Sequence, residues 1–160
     1  MKRAQKGFSL IELLIVVAII LIIAAIAIPN LLRARIQANE ASAAASLHAL
    51  NTAEISYSSA FPAIGFSASL ANLGDGGLSP CPGSSTASCY IDPNLASGTK
   101  SGYIFTYTPD ATSTPAQHYT VNVDPVSRGI SGQRSFFSSD ANVTRYNTGA
   151  AASSADSPLQ

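Results

Sequence analysis

The chain has 160 residues, 46% of them hydrophobic and only 11% charged, with nine cations balancing nine acids. That length leaves room for one modest domain beside an apolar segment, and it carries no basic patch of the kind that routine nucleic-acid binding needs. Three of the cations, Lys2, Arg3 and Lys6, precede Gly7, so the rest of the chain sets six cations against nine acids, a formal side-chain charge of −3.

The first element is apolar. From Leu13 to Ile28 no polar side chain occurs, and after Glu12 the next charge is Arg33. As a helix, Phe8 to Ile28 is about 31 Å long, the thickness of a bilayer's hydrocarbon core. A secretory signal has a shorter apolar run that ends in a small-residue cleavage site. Here the small residue, Gly7, stands before the run, so a cut there keeps the segment in the mature protein. The leader cations predict a cytoplasmic N-terminus with the body exported. Glu12 is the anomaly. A carboxylate in a membrane helix costs about 2.5–3.5 kcal/mol at the bilayer centre and less toward the interface, so something outside this one chain is expected to offset it.

Pro29 removes a backbone donor and crowds the carbonyl of Ala25, which predicts a kink. Residues 29–61 continue as good helix formers, with no Gly and no further Pro until Pro62. Ile36, Ala43, Leu50 and Tyr57 recur at sevens with Leu47 between them, a narrow stripe that suits packing on the chain's own sheet. Arg33, Arg35, Gln37, Glu40 and Glu54 fall mostly off that stripe. A helix from Phe8 to about Ser59 is too long for so small a domain to cover, so half of it must pack on something else. No aromatic residue lies between Phe8 and Tyr57, and a continuous aromatic path along the helix is not expected.

Residues 62–102 are dense in Gly, Pro, Ser and Asn and read as a loop region that needs a staple. Cys81 and Cys89 are spaced wrongly for a CxxC redox or zinc pair, and His48 and His118 lie far off in sequence. A disulfide in an oxidising compartment is the favoured reading, with two free thiols as the alternative. Within residues 103–147, β-rich runs at Tyr103–Thr108, His118–Val123, Gln133–Ser138 and Asn142–Tyr146 are separated by turn residues. Three or four antiparallel strands packed on the second half of the long helix make an α+β domain. The tail, residues 148–160, is small and polar and is expected to be poorly ordered or to lie on the surface.

Catalytic chemistry is missing from the sequence. No phosphate loop, His/Glu metal motif or G-x-S-x-G occurs. Asp75, Asp92, Asp110 and Asp124 are scattered through turns, where Asp commonly caps the backbone. Asp140 and Asn142 are candidates for a Ca²⁺ site but bring too few oxygen ligands to make one. Asn142-Val143-Thr144 matches a glycosylation sequon and reads better as strand. Neither an enzyme activity nor a cofactor is expected.

The segment KGFSLIELLIVVAIILIIAAIAIPNLLRAR, residues 6–35, closely resembles the N-terminus of type IV pilins and of the related type II secretion pseudopilins. The resemblance implies the pilin fold, a long helix packed on a small antiparallel sheet. It implies that residues 1–7 are a leader, cut between Gly7 and Phe8 by a membrane-embedded prepilin peptidase that also methylates the new N-terminus at Phe8. Residues 8–28 then form the transmembrane and filament-core helix, with Pro29 as the kinking proline. Glu12 becomes the acid thought to pair with the Phe8 amine of a neighbouring subunit, which supplies the missing partner. The implied function is that of a major structural subunit: a homopolymer built through the N-terminal helices, assembled by an inner-membrane platform into an extracellular pilus for adhesion, motility or DNA uptake. The alternative within the family is a major pseudopilin of a type II secretion system. A membrane-anchored periplasmic enzyme or binding protein is a third reading, and it requires a Glu12 that tolerates substitution. Two features depart from the family. The cysteine pair precedes the strands instead of bounding a C-terminal loop, and the C-terminal Ca²⁺ ligands are too few.

Overall fold

A computed structural model describes residues 8–159. The chain divides into two units, Met1–Arg35 and Ile36–Gln160. The helix α1, Leu10–Ala60, contributes to both.

In the first unit, α1 is built from Leu, Ile, Val and Ala on every face, and none of its described side chains is buried. This is the one helix among the described residues long and apolar enough to cross a membrane. Pro29 lies inside it, and the Ala25 carbonyl there lacks its usual backbone donor.

In the second unit, α1 has a sharply divided surface. Ala43, Leu47, Leu50 and Tyr57 are buried, spaced as one face of a helix, and Ile36 at the head of that series is part-buried. The same face carries Glu40, Asn51 and Glu54, all buried. The acids expected off the stripe at positions 40 and 54 are therefore inside, because loop backbone donors use them as acceptors. The helix ends where Pro62 follows, with Gly65 N–H and Ile64 N–H donating to the Phe61 carbonyl. Gly65 has φ 82° and pairs with Ala116; a Cβ there would collide with the Ala116 carbonyl, so only glycine fits.

The 62–102 region holds more structure than expected. It contains two single-turn helices, α2 (Leu70–Leu73) and α3 (Pro93–Ala96), the latter capped by Asp92, whose side chain accepts from Leu95 N at 3.1 Å. Leu70, Leu73, Ile91 and Leu95 from this region enter the core. Cys81 and Cys89 form a disulfide with Cα atoms 6.4 Å apart, and the buried Tyr57 donates its hydroxyl to the Ser85 carbonyl inside that loop.

The sheet has five strands where three or four were expected: β1 (Thr99–Lys100), β2 (Tyr103–Pro109), β3 (Tyr119–Pro125), β4 (Ser135–Ser139) and β5 (Arg145–Asn147). They lie in sequence order, and every neighbouring pair is antiparallel. Strand β1, only two residues long, is too short to leave an alternation signal. Pairs such as Phe105 with Val123 and Val123 with Phe136 put Tyr103, Phe105, Tyr119, Val121, Val123 and Phe136 on one face against α1. The tail is pinned. Tyr146 N donates to the Ser157 carbonyl and Leu159 N to the Thr144 carbonyl, while Ala152 is buried. Asp156 takes the Asn147 amide and the Ser153 N–H and hydroxyl, which is how so polar a segment acquires order.

Candidate assembly site

The site predicted from the sequence begins at the start of α1. Gly7 and the rest of the leader, residues 1–7, lie outside the described residues. Phe8 and Glu12 are described and exposed. The Ser9 carbonyl accepts from the N–H groups of Glu12 and Leu13, at 3.1 and 3.2 Å, so Ser9 is the N-cap and Glu12 occupies the third helical position. The Glu12 carboxylate reaches back and accepts the Ser9 N–H at 2.9 Å. This is the acid's half of a capping box, and the sequence signal for it, Ser-x-x-Glu at 9–12, stands in plain view ahead of the apolar run. The cap holds the carboxylate at the N-terminal end of the helix, where it also complements the helix dipole.

Around that carboxylate the surface is aliphatic. Leu10 is 80% exposed, Ile11 62% and Leu13 58%, and large apolar side chains remain exposed through Leu32. A helix that is apolar on all faces requires a membrane or a ring of other helices to cover it. Arg33 and Arg35 are exposed and have no carboxylate partner within 4.0 Å among the described residues.

The second unit does not gather a comparable set of groups. Among the described residues no three His, Cys, Asp or Glu side chains come together as a metal site. Asp140 instead meets His118 Nδ1 at 2.9 Å, and that bond holds the exposed imidazole's pKa above its ordinary value. Asn142 sits in the turn after β4 with φ 57°. Asp75 and Asp110 cap their own turns, and Asp92 pairs with Lys100 at 2.8 Å.

Sequence reasoning missed the two buried acids. Glu40 accepts from Gln133 N and Arg134 N at 2.8 and 3.1 Å and from Arg134 Nε at 2.7 Å. Burial pushes its pKa up, but these bonds together outweigh burial and leave it below the usual carboxylate value. Glu54, fully buried, accepts the Ser67 N–H at 2.9 Å and the Ser67 hydroxyl. Here burial wins, and the pKa is raised. Both acids fasten loops to α1.

A family model for the prokaryotic N-terminal methylation motif matches residues 2–28. The chain is 68% identical over 38 residues to the type IV wide pilus major component of Thermus thermophilus, a match covering 24% of this chain and 29% of that protein. It is 51% identical over 53 residues to the type IV major pilin of Myxococcus xanthus, covering 33% of this chain and 24% of that protein. The match thus spans only 29% and 24% of the length of these two curated relatives. No solved structure matches the chain. The chain thus combines the N-terminal methylation motif and an N-terminal segment similar to those of two type IV pilus subunits with an exposed apolar helix and an α+β, pilin-like architecture.

Proposed function

We propose that this chain is the major structural subunit of a type IV pilus, a polymer held together by its N-terminal helices. The observation that carries the reading is the apolar surface from Phe8 to Leu32, exposed on every face and headed by a single carboxylate. A prepilin peptidase cuts between Gly7 and Phe8 and methylates Phe8. The precursor waits in the inner membrane with a cytoplasmic N-terminus until an assembly platform moves it into the growing fibre outside the cell. Adhesion, motility or DNA uptake are then properties of the fibre. The names of both matched relatives, each a pilus subunit, support a pilus over a secretion pseudopilus.

The chemistry of assembly follows from the helix start. Cleavage frees an amine at Phe8, one residue before the cap residue Ser9, and methylation leaves that amine a cation. The Glu12 carboxylate already points toward this end of the helix, held by a single hydrogen bond to Ser9. A carboxylate oxygen has further acceptor capacity, so a neighbour's Phe8 ammonium can join without breaking the cap. In an aliphatic, water-poor bundle that ion pair is far stronger than on a wet surface, and leaving either charge alone is costly. The aliphatic flanks supply contact area and the pair supplies register. Pro29 is the position at which α1 is expected to kink.

Glu12→Ala and Glu12→Lys test the reading. Both variants are expected to reach the membrane in normal amount and to yield no filament, whereas Glu12→Asp retains some assembly. Normal filaments from the Ala and Lys variants would overturn the proposal.

A further inference from the structure

The second unit carries an apolar knob at one end and an apolar pocket at the other. Strand β3 separates them. Its seven residues span about 20 Å, with the β2–β3 connection at one end and the β3–β4 connection at the other. At the β3–β4 end, Ser127 to Ser131 form a tight turn: the Ser127 carbonyl accepts Ile130 N at 3.1 Å and Ser131 N at 2.9 Å, and Gly129 has φ 86°. Asn39 on α1 donates to the Ser131 carbonyl at 2.9 Å, which fixes the turn to the helix. The turn presents Ile130 at 74% exposure, the most exposed large apolar side chain in the described part of this unit, with Val126 beside it at 61%. Ile130 and Val126 thus stand together as an exposed apolar pair on an ordered turn.

At the opposite end, the segment after α1 and the β2–β3 connection meet through the Gly65–Ala116 pairing. Between them lies a pocket of about 330 Å³ lined by Ala63, Ile64, Phe66 and Ala111, with Asp110 at its edge. The two ends also complement each other in charge. Arg128, in the knob turn, donates to the carbonyls of Gln133 and Thr148 and to the Ser135 hydroxyl, and it has no carboxylate within 4.0 Å among the described residues. Asp110 is engaged by the Thr112 N–H and by the Thr112 and Ser113 hydroxyls, and it has no cationic partner in the chain by the same measure.

We propose that Ile130 of one copy of this chain fills the Ala63–Phe66–Ala111 pocket of the next copy, with Arg128 facing Asp110. The knob and the pocket are different surfaces at opposite ends of the unit, so the contact is heterologous. A heterologous contact that does not close into a ring generates an open helical polymer. This inference rests on the filament reading above and adds to it a second adhesive contact, between heads, independent of the N-terminal helix.

The test is a mixed filament. Cells produce two full-length versions of the chain, one Ile130→Cys and the other Ala63→Cys, and sheared filaments are run on a non-reducing gel. The expected result is a disulfide-linked dimer in filaments containing both versions and in neither parent filament. Mixed filaments without that dimer overturn the head contact and leave the pilin reading intact; wild-type cells that build no filament from this chain overturn both. Ile130→Leu and Ile130→Asp cover the case in which a cysteine blocks assembly. Filament yield is expected to hold for Leu and to fall about tenfold or more for Asp, as a lost contact of this class implies. Full yield from Ile130→Asp overturns the contact.

Discussion

Two stretches of one helix, residues 10–35 and 36–60 of α1, invert the usual rule for which side chains are inside. In the first, leucines, isoleucines and valines stand exposed on all sides. In the second, Glu40, Asn51 and Glu54 are buried beside Leu47 and Leu50. The difference teaches where the partners are. Glu40, Asn51 and Glu54 each have their partners within the chain: Gln133 and Arg134 for Glu40, Ser138 and Tyr119 for Asn51, and Ser67 for Glu54. The exposed apolar side chains of the first stretch have no such cover within their own unit, so a membrane or other helices must provide it. One helix thus serves folding in its second stretch and, on the proposed reading, assembly in its first.

Truncating one side chain in each stretch is expected to affect different properties. Leu47→Ala removes a fully buried side chain and is expected to cost about 2–5 kcal/mol of head stability. Ile20→Ala, at 58% exposure, is expected to shift the same transition by less than about 0.5 kcal/mol while weakening filaments. Chemical denaturation of the full chain in detergent, followed by tyrosine fluorescence, reads the first effect; filament yield reads the second. Equal losses of head stability at both sites would erase the distinction.

Opening the disulfide comes next. Replacing Cys81 and Cys89 together by Ser frees a loop with a sequence separation of 8, for which chain entropy gives a loss of about 2–3 kcal/mol. Because Tyr57 holds the Ser85 carbonyl of that loop, its fluorescence should change first during the melt.

A subtler pair of substitutions sharpens the contrast within the second stretch. Glu40 has a lowered folded-state pKa, so its contribution is present above the unfolded value and lost as pH falls through the folded one. Glu40→Gln should therefore lose about 1.5–3 kcal/mol at pH 7, a deficit that shrinks on acidification. Glu54 has a raised folded-state pKa, so its contribution is present below the unfolded value and is lost as pH rises through the folded one. Relative to wild type, Glu54→Gln should grow more stable as pH rises, by less than Glu40→Gln loses. Parallel pH profiles for the two variants would contradict the opposite assignments.

The helix was more legible in the sequence than the loops and sheet of the second unit. Ala43, Leu50 and Tyr57 announce their burial through spacing alone, and the strands around Phe105 and Val121 announce theirs through alternation. Glu40 and Glu54 could not be placed that way, because periodicity treats every acid as solvent-facing. Their burial depends on backbone N–H groups of Gln133, Arg134 and Ser67, which are far off in sequence or in an irregular loop. The pinned tail was hidden for the same reason: Asp156 orders it through short-range side-chain bonds that leave no pattern. At the site the converse held. Glu12 stood out by charge, yet its cap on Ser9 went unread although the Ser-x-x-Glu spacing was present.

On the proposed reading, the exposed apolar helix becomes the core of a filament once Phe8 is its first residue. Mass spectrometry of fibres sheared from cells tests it most directly. The expected N-terminal peptide begins with N-methylated Phe8, in fibres made chiefly of this chain. Fibres lacking the chain, or a chain that still begins at Met1 within them, would contradict it.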